Sequence, residues 1–578
     1  STLAEKCEAG EIIYDLKIKE NHAADEYKAG LTLTAGSEML HAETFLPNFR
    51  QGDAIILYER NCDTDNVTNK MVFKGNIEYL TENEIGIRLR ATQQNPSVLP
   101  AESLYAIEHD TMDTTFRSMY QGLYAYLSAR KERRDLLLSQ RPPRFDESLD
   151  SMISRSEDDF TRIALKAKAA QDYFLLIGPP GTGKTSCALK KMVETFHTDK
   201  DAQILLLSYT NRAVDEICKS LASIAPAVDF IRVGSELSCD EAYRGHLIEN
   251  ELSSCNRRSE VYERIRNCRI IVGTVAAISG KPELFRLKHF DVAIIDEATQ
   301  ILEPQLLGIL CVRGEDGKDA IDKFVLIGDH KQLPAVVQQN TEQSAIYDES
   351  LLSIGLTNLK DSLFERLYRN CTATVHRSYD MLCRQGRMHP EVALFANRAF
   401  YGGRLIPVGL PHQIESSDTI CRLAFYPSVP EKAGASAKIN YSEARIVADL
   451  AARIYEDHQT DFDESRTLGI ITPYRSQIAL IKKEIESLGI PALNRILVDT
   501  VERFQGSERD VIIYSFCVNY PYQLKFLSNL TEEEGVLIDR KLNVALTRAR
   551  KQMFITGVPE LLERNPLYKS LLKLIESF

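Results

Sequence analysis

The stretch from 178 to 186, GPPGTGKTS, contains the residue types that hold phosphate groups. It fits the pattern G-x-x-x-x-G-K-[ST], follows the apolar run FLLI and precedes a helical stretch, which is the context that the pattern requires. Its glycines let backbone N–H groups curl around phosphates, Lys184 would reach the β- and γ-phosphates, and the Thr185 hydroxyl would bind Mg²⁺. The residues predicted to bind the nucleotide here are Gly178, Pro179, Pro180, Gly181, Thr182, Gly183, Lys184, Thr185 and Ser186.

Two adjacent acids, Asp296 and Glu297, end the apolar run DVAII. Neighbouring side chains at a strand end point in different directions, so the two carboxylates can perform different tasks. We expect Asp296 to bind Mg²⁺ through its hydration shell and Glu297 to orient or deprotonate the attacking water. A strand followed by a capped helix would explain either acid alone, but it explains the pair poorly.

A third strand-like run, FVLIGD, is followed by the polar residues of HKQLP. Asp329 and Gln332 would then lie at the carboxyl edge of a parallel sheet, where ligands bind. Gln332 could sense a γ-phosphate, or the segment could be a turn whose polar groups satisfy one another. The stretch by itself does not decide between these two interpretations.

Five cations fall within residues 539–554, DRKLNVALTRARKQMF, of a chain whose formal net charge is -12. Leu542, Ala545, Leu546 and Ala549 recur at helical spacing, which predicts a helix with these residues packed inward. The cations could be a solvated helix face or a general patch for nucleic acid. One of the arginines could instead serve the chemistry of the phosphate loop.

Short apolar strands alternate with amphipathic helices from about residue 155 onward, and a second series of this kind begins after about 380. Continuous apolar strands of this type are typical of parallel sheets covered by helices on both faces. We therefore predict an α/β protein with two lobes, at 151–380 and 381–578.

Residues 1–107 contain β-rich runs separated by Asn, Asp, Gly and Thr, which favours a small antiparallel barrel. The segment 108–150 reads as a helical stalk, and Pro142 and Pro143 are expected to stop its helix. Its cations could touch a phosphate backbone or form the wet face of the stalk.

Composition narrows the class of protein. The 12 cysteines are dispersed without C-x-x-C spacing, which argues against a disulfide scaffold or a zinc ribbon and favours reduced thiols inside a cell. Apolar runs are too short for a membrane span, so we expect no membrane partner. The acidic balance is compatible with nucleic-acid binding, because a local groove can bind nucleic acid when the whole chain is negative.

Taken in order, the blocks GPPGTGKT, SYTNRAVDEI, IIDEATQ, GDHKQLPAVV, RQGRMHPEV, ITPYRSQ, VDTVERFQGSERD and LNVALTRARKQMF resemble superfamily-one helicases, over about 170–560. They look most like the 5′-to-3′ branch, and SYTNRAVD and RKERRDLLLSQRPPRFD are similar to the motors of its nuclease–helicases. The resemblance implies two tandem RecA-like lobes, ATP and Mg²⁺ as cofactors, and single-stranded nucleic acid as partner, with DNA favoured over RNA. It also implies a nuclease domain or partner before Ser1.

By matching position, the resemblance implies that Arg387 and Arg548 are arginine fingers that stabilise charge on the transferring phosphoryl group. With these arginines, the catalytic set becomes Lys184, Glu297, Gln332, Arg387 and Arg548. Gln505 and Glu508 match the motif that links nucleotide to nucleic acid. The positions that match strand contacts are Ser208, Tyr209, Thr210, Asn211, Thr274, Pro473, Tyr474, Arg475 and Thr500. Hydroxyls, amides and backbone N–H groups hold phosphates without reading bases, as a translocating motor needs.

Two positions depart from the family pattern. Thr161 stands where a glutamine usually reads adenine, and Gly386 stands where an aromatic residue usually stacks on the base. These departures put strict preference for ATP in doubt. Two alternatives to a DNA helicase stay open. The missing base contacts and the acidic charge are compatible with a nucleotide-gated scaffold that separates no strands, and an RNA helicase of the same family would differ only in contacts to 2′-hydroxyl groups.

Overall fold

The computed structural model describes residues 2–26, 29–35, 47–81, 83–110, 113–337, 339, 341–374, 377–416, 420–431, 436–533 and 535–578. The chain divides into two compact units. Residues 1–112, 389–399 and 414–578 form one unit, called here the barrel unit; residues 113–388 and 400–413 form the other, the P-loop unit. As domain boundaries, the four ranges read from the sequence stay a prediction.

The barrel unit begins with a closed barrel of six antiparallel strands, which confirms the predicted barrel. Strands β1 to β6 follow the order β1-β2-β5-β4-β3-β6, and side chains from alternate positions fill the interior. Their bounds are β1 Ile12–His22, β2 Gly30–Ala35, β3 Ala54–Glu59, β4 Val72–Leu80, β5 Glu84–Leu89 and β6 Tyr105–His109. A capped helix, Leu3–Ala9, precedes them.

The P-loop unit is built on a seven-stranded parallel sheet, in the order β13-β7-β12-β11-β8-β10-β9. The strands are β7 Tyr173–Ile177, β8 Ile204–Ser208, β9 Phe230–Val233, β10 Ile270–Thr274, β11 Phe290–Ile295, β12 Ile321–Gly328 and β13 Tyr379–Met381. Buried side chains form one apolar layer on each face, as expected for strands that read as continuous apolar runs. The carboxyl ends of β7, β11, β8 and β10 therefore share one edge.

Helices cover both faces of this sheet. The longer ones are Asp159–Ala169, Lys190–His197, Asn211–Ala222, Arg258–Asn267, Glu303–Leu310 and Leu363–Ala373. Shorter ones are Asp150–Arg155, Ile248–Glu251, Val275–Ser279, Glu283–Leu287, Glu349–Ser353 and Pro411–Ile414. A two-stranded pair, β14 Arg384–Gln385 with β15 Ile406–Pro407, lies outside the main sheet.

The predicted stalk is two helices, Asp113–Ser128 and Lys131–Leu137, rather than one. The second helix ends at Leu137, before the prolines, so the prediction that Pro142 and Pro143 stop it was wrong. The cations of this segment do not all lie on a solvent-exposed face. Arg133 is buried and donates to the backbone oxygens of Ile321 (2.5 Å) and Asp322 (3.2 Å), at the start of β12.

Two further arginines of this segment converge on one buried carboxylate. Arg141 donates two hydrogen bonds of 2.9 Å to Asp172, and Arg144 donates from its guanidinium and its backbone N–H to the same side chain. Burial alone would raise the pKa of Asp172, but these hydrogen bonds outweigh burial and hold the pKa well below its usual value. These arginines therefore fasten the segment to the residue that precedes β7, a structural task that the sequence did not predict.

The second parallel sheet, in the barrel unit, has five strands in the order β16-β22-β19-β17-β18, which confirms the second α/β lobe. The strands are β16 Leu423–Pro427, β17 Leu468–Ile471, β18 Leu497–Asp499, β19 Arg509–Ser515 and β22 Ala549–Gly557, with a hairpin of β20 Leu530–Glu533 and β21 Val536–Asp539. The helices are Pro390–Phe400, Tyr441–Asp457, Arg475–Ser487, Val501–Phe504, Leu524–Leu527, Arg540–Leu546, Pro559–Leu562 and Pro566–Glu576. Among the described residues, no helix of either unit is long and apolar enough to cross a membrane.

A fully buried carboxyl group lies beneath the carboxyl edge of this second sheet. Glu443 accepts hydrogen bonds from the Ser515 hydroxyl (2.6 Å), the Cys517 backbone N–H (2.8 Å) and the Ser428 hydroxyl (3.4 Å). Burial raises the pKa of Glu443 to about 7, although these hydrogen bonds oppose the shift.

We expect the Glu443→Gln variant to gain stability relative to the wild type as pH rises. The folded-state pKa lies above the unfolded one, so the folded wild type keeps its full stability at low pH and loses part of it as pH rises toward 7. A shift of this size corresponds to roughly 2–3 kcal/mol between pH 5 and pH 8. Thermal unfolding midpoints at both pH values measure the effect, and the exposed Glu456→Gln on the same helix serves as the control. Parallel pH profiles for wild type and Glu443→Gln would contradict the expectation.

Candidate nucleotide and nucleic-acid sites

The phosphate loop follows β7 directly and opens the helical turns at 184–189. Gly181 and Gly183 have φ of 73° and 75°, in the left-handed region that favours glycine. The Thr182 hydroxyl donates to the Pro179 backbone oxygen at 2.7 Å and closes the loop on itself. A β-carbon at Gly178 would lie 2.8 Å from the side chain of Lys184, so the lysine stem lies over this glycine. The loop has the shape that the sequence predicts for a phosphate cradle.

The structure brings the predicted magnesium ligands together. The Thr185 hydroxyl donates to Asp296 Oδ2 at 2.5 Å, and Asp296 is buried at the carboxyl end of β11. A hydroxyl and a carboxylate oxygen side by side are the hard oxygen ligands that Mg²⁺ takes, so these residues fit the ion.

Glu297 has a strained backbone, with φ of 54° in a residue other than glycine. Its N–H donates to Asp296 Oδ1 at 2.8 Å, and this bond stabilises the unusual conformation. Such strain costs about 1–3 kcal/mol and is concentrated at functional sites. The strain therefore supports a functional role for Glu297 beside the phosphate loop.

Asp329 and Gln332 form a hydrogen-bonded turn at the carboxyl end of β12. Gln332 Nε2 donates to Asp329 Oδ2 at 2.7 Å, and the Tyr401 hydroxyl donates to the same oxygen at 2.7 Å. The turn interpretation thus describes this structure, and the role of Gln332 toward a γ-phosphate stays a prediction. The contribution of Tyr401 was not predicted, because nothing local in its sequence marks it.

Arg387 lies against the phosphate loop within the P-loop unit. The Gly386 N–H donates to the Gly181 backbone oxygen at 2.9 Å, and a β-carbon at Gly181 would come within 2.4 Å of Arg387 Cβ. The buried Gln385 side chain accepts from the N–H groups of Arg387 (3.0 Å) and Met388 (2.8 Å), which fixes the turn. Gln385 was missed as a positioning residue. Its adjacency to Gly386 was the available signal.

The two departures from the family pattern have distinct surroundings. Thr161 donates from its hydroxyl and its N–H to the Asp158 carboxylate, at 2.5 and 2.8 Å, so it completes a helix cap. Beside Gly386, a β-carbon would lie 3.2 Å from Leu410 and 3.8 Å from Val408. Aliphatic side chains therefore stand next to the position where the family usually has an aromatic residue.

The predicted strand-contacting residues of the P-loop unit follow neighbouring strands, since Ser208 ends β8 and Thr274 ends β10. Ser208 is buried and donates to the Asp296 backbone oxygen at 3.2 Å. Thr210 and Thr274 cap the helices that follow them, and Tyr209 is exposed. The structure gathers these residues at one sheet edge, and their contact with nucleic acid stays a prediction.

In the barrel unit, Arg475 contacts the barrel. Its guanidinium donates to the Pro47 backbone oxygen (3.4 Å) and to the Asn48 side-chain oxygen, which also accepts from Arg503. Arg50 of the barrel pairs with Asp499 at 3.2 Å. The predicted strand residues Pro473, Tyr474 and Thr500 lie beside this cluster, at the ends of β17 and β18. No pattern in the sequence predicted that Arg475 would bind the barrel.

Arg548 is buried in the barrel unit, and the helix before it ends at Leu546. Its guanidinium donates to the backbone oxygens of Val544 (3.0 Å) and Ser507 (3.3 Å), and Ser507 lies between the predicted nucleotide-linked residues Gln505 and Glu508. The role of Arg548 as an arginine finger stays a prediction.

The helix predicted for this stretch ends earlier than its apolar spacing indicates, and the cations of the stretch do not form one solvated helix face. Lys541 and Arg548 do not share a helical face, because Arg548 lies beyond the helix end and Ala549 begins β22. Arg550 and Lys551 are not simply solvated, because both pair with Asp510, at 2.9 and 3.1 Å. The inward packing of Leu542, Ala545, Leu546 and Ala549 is confirmed.

Comparison with known proteins gives consistent matches. A family profile described as an AAA domain matches residues 359–560, and a second with the same description matches 154–258 and 248–340. The chain is 27% identical over 591 residues to the "DNA replication ATP-dependent helicase/nuclease DNA2" of Bos taurus, covering 92% of this chain and 50% of that protein. It is 28% identical over 540 residues to the protein of that name from Homo sapiens, covering 83% of this chain and 46% of that protein.

A further relative is the "DNA polymerase alpha-associated DNA helicase A" of Saccharomyces cerevisiae, at 24% identity over 492 residues, 72% of this chain and 67% of that protein. Among solved structures, the "Complex structure of Arterivirus nonstructural protein 10 (helicase) with DNA" matches at 13% identity with a TM-score of 0.37, over 92% of this chain and 81% of that chain. The chain spans about half the length of the two DNA2 relatives.

The phosphate loop, the paired strand-end acids and the parallel sheet define a P-loop nucleotide-binding protein with a second α/β lobe. Within that class, these matches support a superfamily-one helicase related to the DNA2 helicase/nucleases.

Proposed function

We propose that this chain is an ATP-driven helicase or translocase that moves 5′ to 3′ along single-stranded DNA. One observation carries the proposal: the phosphate loop, the pair Thr185 and Asp296, and Arg387 lie together in the P-loop unit. The strand-contacting positions Ser208 and Thr274 end neighbouring strands at the same sheet edge. A nucleotide site and a strand site on one sheet edge support coupling between hydrolysis and movement.

In this proposal, each residue acts on the triphosphate in its own way. Lys184 and the loop N–H groups bind the phosphates, and Glu297 orients the attacking water and accepts its proton. Arg387 donates to the transferring phosphoryl group, where negative charge develops. Thr185 and Asp296 would hold Mg²⁺, which when bound neutralises phosphate charge. Val408 and Leu410 offer the base an aliphatic surface beside Gly386, compatible with any nucleobase.

We expect ATP hydrolysis by the full 578-residue chain to rise at least about tenfold when single-stranded DNA is added. The rate of hydrolysis should depend on bound DNA because the Ser208 hydroxyl donates to the backbone oxygen of Asp296. A change at the strand site therefore reaches the magnesium ligand directly. Phosphate release with ATP and GTP, each with and without single-stranded DNA and RNA, measures this. Unwinding of duplexes with 5′ or 3′ single-stranded tails then tests polarity.

Each alternative corresponds to a specific outcome of this measurement. Equal rates with and without either nucleic acid would contradict the proposal and indicate a nucleotide-gated scaffold. Stimulation by RNA alone would contradict the DNA assignment. Thr185→Ala is the matched negative control, since it removes the hydroxyl that pairs with Asp296 and should abolish hydrolysis on every strand.

A further inference from the structure

Four buried amide side chains form a connected network at the carboxyl edge of the second sheet: Asn440, Gln477, Asn519 and Gln523. Asn440 donates to Asn519 at 2.9 Å and exchanges two hydrogen bonds with Gln477, through its N–H (2.8 Å) and its backbone oxygen (3.0 Å). Gln523 accepts from the N–H of Asn519 at 2.9 Å. A fully bonded buried polar network fixes one local conformation, because breaking any member leaves a buried group unsatisfied.

Two tyrosines are bonded to this network, and two more lie next to its members. Tyr441 follows Asn440 at the start of its helix. The Tyr474 hydroxyl accepts from Gln523 Nε2 at 3.1 Å. The Tyr520 N–H donates to the Gln523 side-chain oxygen at 2.9 Å, and the Tyr520 ring stacks on Tyr522 with centroids 5.7 Å apart. Three chain segments that are distant in sequence thus bring their tyrosines to one sheet edge.

The outer members of this group are exposed. Tyr522 is 54% exposed, Tyr441 is 45% exposed, and Phe526, on the short helix after Gln523, is 70% exposed. Their buried neighbours Leu524 and Leu527 anchor that helix from below. Exposed rings on a helix that buried neighbours hold in place keep their flat faces available to a ligand.

The chemistry of this surface fits nucleobases. Every base has a flat π-face, so stacking on aromatic rings tolerates any sequence. Tyr474, the half-buried member of the group, occupies a position that the family resemblance assigns to strand contact. The exposed Lys525 lies between Tyr522 and Phe526 in the chain, where it can approach a phosphate.

We propose that Tyr522 and Phe526 form a stacking platform for the bases of single-stranded DNA, on either side of Gln523, the member of the amide network that is bonded to Tyr474. The inference rests on the proposed function and adds binding residues that no family motif includes. Most motor contacts go to phosphates, which carry no stacking energy, so this platform would supply the contact with bases.

The test measures equilibrium binding of the full chain to a fluorescent oligo(dT) and to an abasic oligonucleotide of equal length and charge. For Tyr522→Ala and Phe526→Ala we expect about a tenfold weaker affinity for oligo(dT) each. Affinity for the abasic strand should be unchanged, and the salt dependence should stay the same because no phosphate contact is lost. Tyr522→Phe keeps the ring and should bind like the wild type. Unfolding midpoints verify that the variants are folded.

The controls separate stacking from other uses of the surface. Tyr347→Ala removes an exposed ring of the P-loop unit, and Val536→Ser removes an exposed aliphatic group from the neighbouring hairpin; neither should change binding. The platform would be overturned by unchanged oligo(dT) affinity in the Tyr522→Ala/Phe526→Ala double variant, or by an equal loss in Val536→Ser. If the wild type binds no single-stranded DNA at all, the proposed function itself fails, which is a distinguishable result.

Discussion

Replacing Arg387 with alanine should lower the rate of ATP hydrolysis about 10³-fold or more while the chain remains folded. Arg387 lies against the phosphate loop, with its backbone held by Gln385 and its neighbour Gly386 bonded to Gly181. A guanidinium delivered to the transferring phosphoryl group typically contributes a factor of about 10³ to 10⁵ in rate. Because the contribution appears in the transition state, turnover should fall much more than ATP affinity.

The matched control is Arg384→Ala, which removes an exposed arginine three residues earlier in the same segment. Steady-state phosphate release and equilibrium binding of a fluorescent ATP analogue separate turnover from affinity. A variant Arg387→Ala that hydrolyses ATP within a few-fold of the wild type would exclude Arg387 from the chemistry. Loss of ATP binding with preserved turnover would assign it to ground-state binding instead.

Replacing Glu297 with glutamine should lower hydrolysis about 10²- to 10⁴-fold, the usual contribution of a positioned general base. The amide keeps the size of the side chain but cannot accept the proton of the attacking water. The left-handed backbone of Glu297 and the hydrogen bond from its N–H to Asp296 Oδ1 do not involve the Glu297 side chain, so the substitution leaves them intact. ATP should therefore bind with unchanged or tighter affinity and accumulate unhydrolysed on the enzyme.

Single-turnover quench experiments measure this directly, since they report the chemical step on bound ATP. The exposed Glu349→Gln, on another helix of the same unit, is the control and should behave as wild type. A normal rate of the chemical step in Glu297→Gln would show that another residue orients and deprotonates the water. Gln332 would be the first candidate because it lies at the neighbouring strand end.

The sequence predicted those parts of the site that local patterns encode. The phosphate loop and the strand-end acids each follow an apolar run, and parallel pairing then brings Thr185 to Asp296. The barrel and both parallel sheets followed from strand patterns in the same way. The approach of Arg387 to Gly181 is different, because no local pattern determines which distant turn a loop will contact.

What the sequence missed consists mainly of polar contacts between distant segments. Arg475 has the residue type and the motif position of a strand contact, yet its guanidinium is bonded to Asn48 of the barrel. Arg141 and Arg144 belong to a segment whose cations could have touched a phosphate backbone or formed a solvated face, but a single buried aspartate binds both. Helical spacing continued to Ala549, whereas the helix ends at Leu546, since side-chain periodicity does not report where a strand begins.

The close approach of Gly181 to Arg387 means that these two loops can only be altered as a pair. Any side chain at 181 would meet the β-carbon of the arginine and would also adopt an unfavourable backbone conformation. An engineer who wished to widen the phosphate loop would therefore have to redesign the turn around Gly386 in the same step.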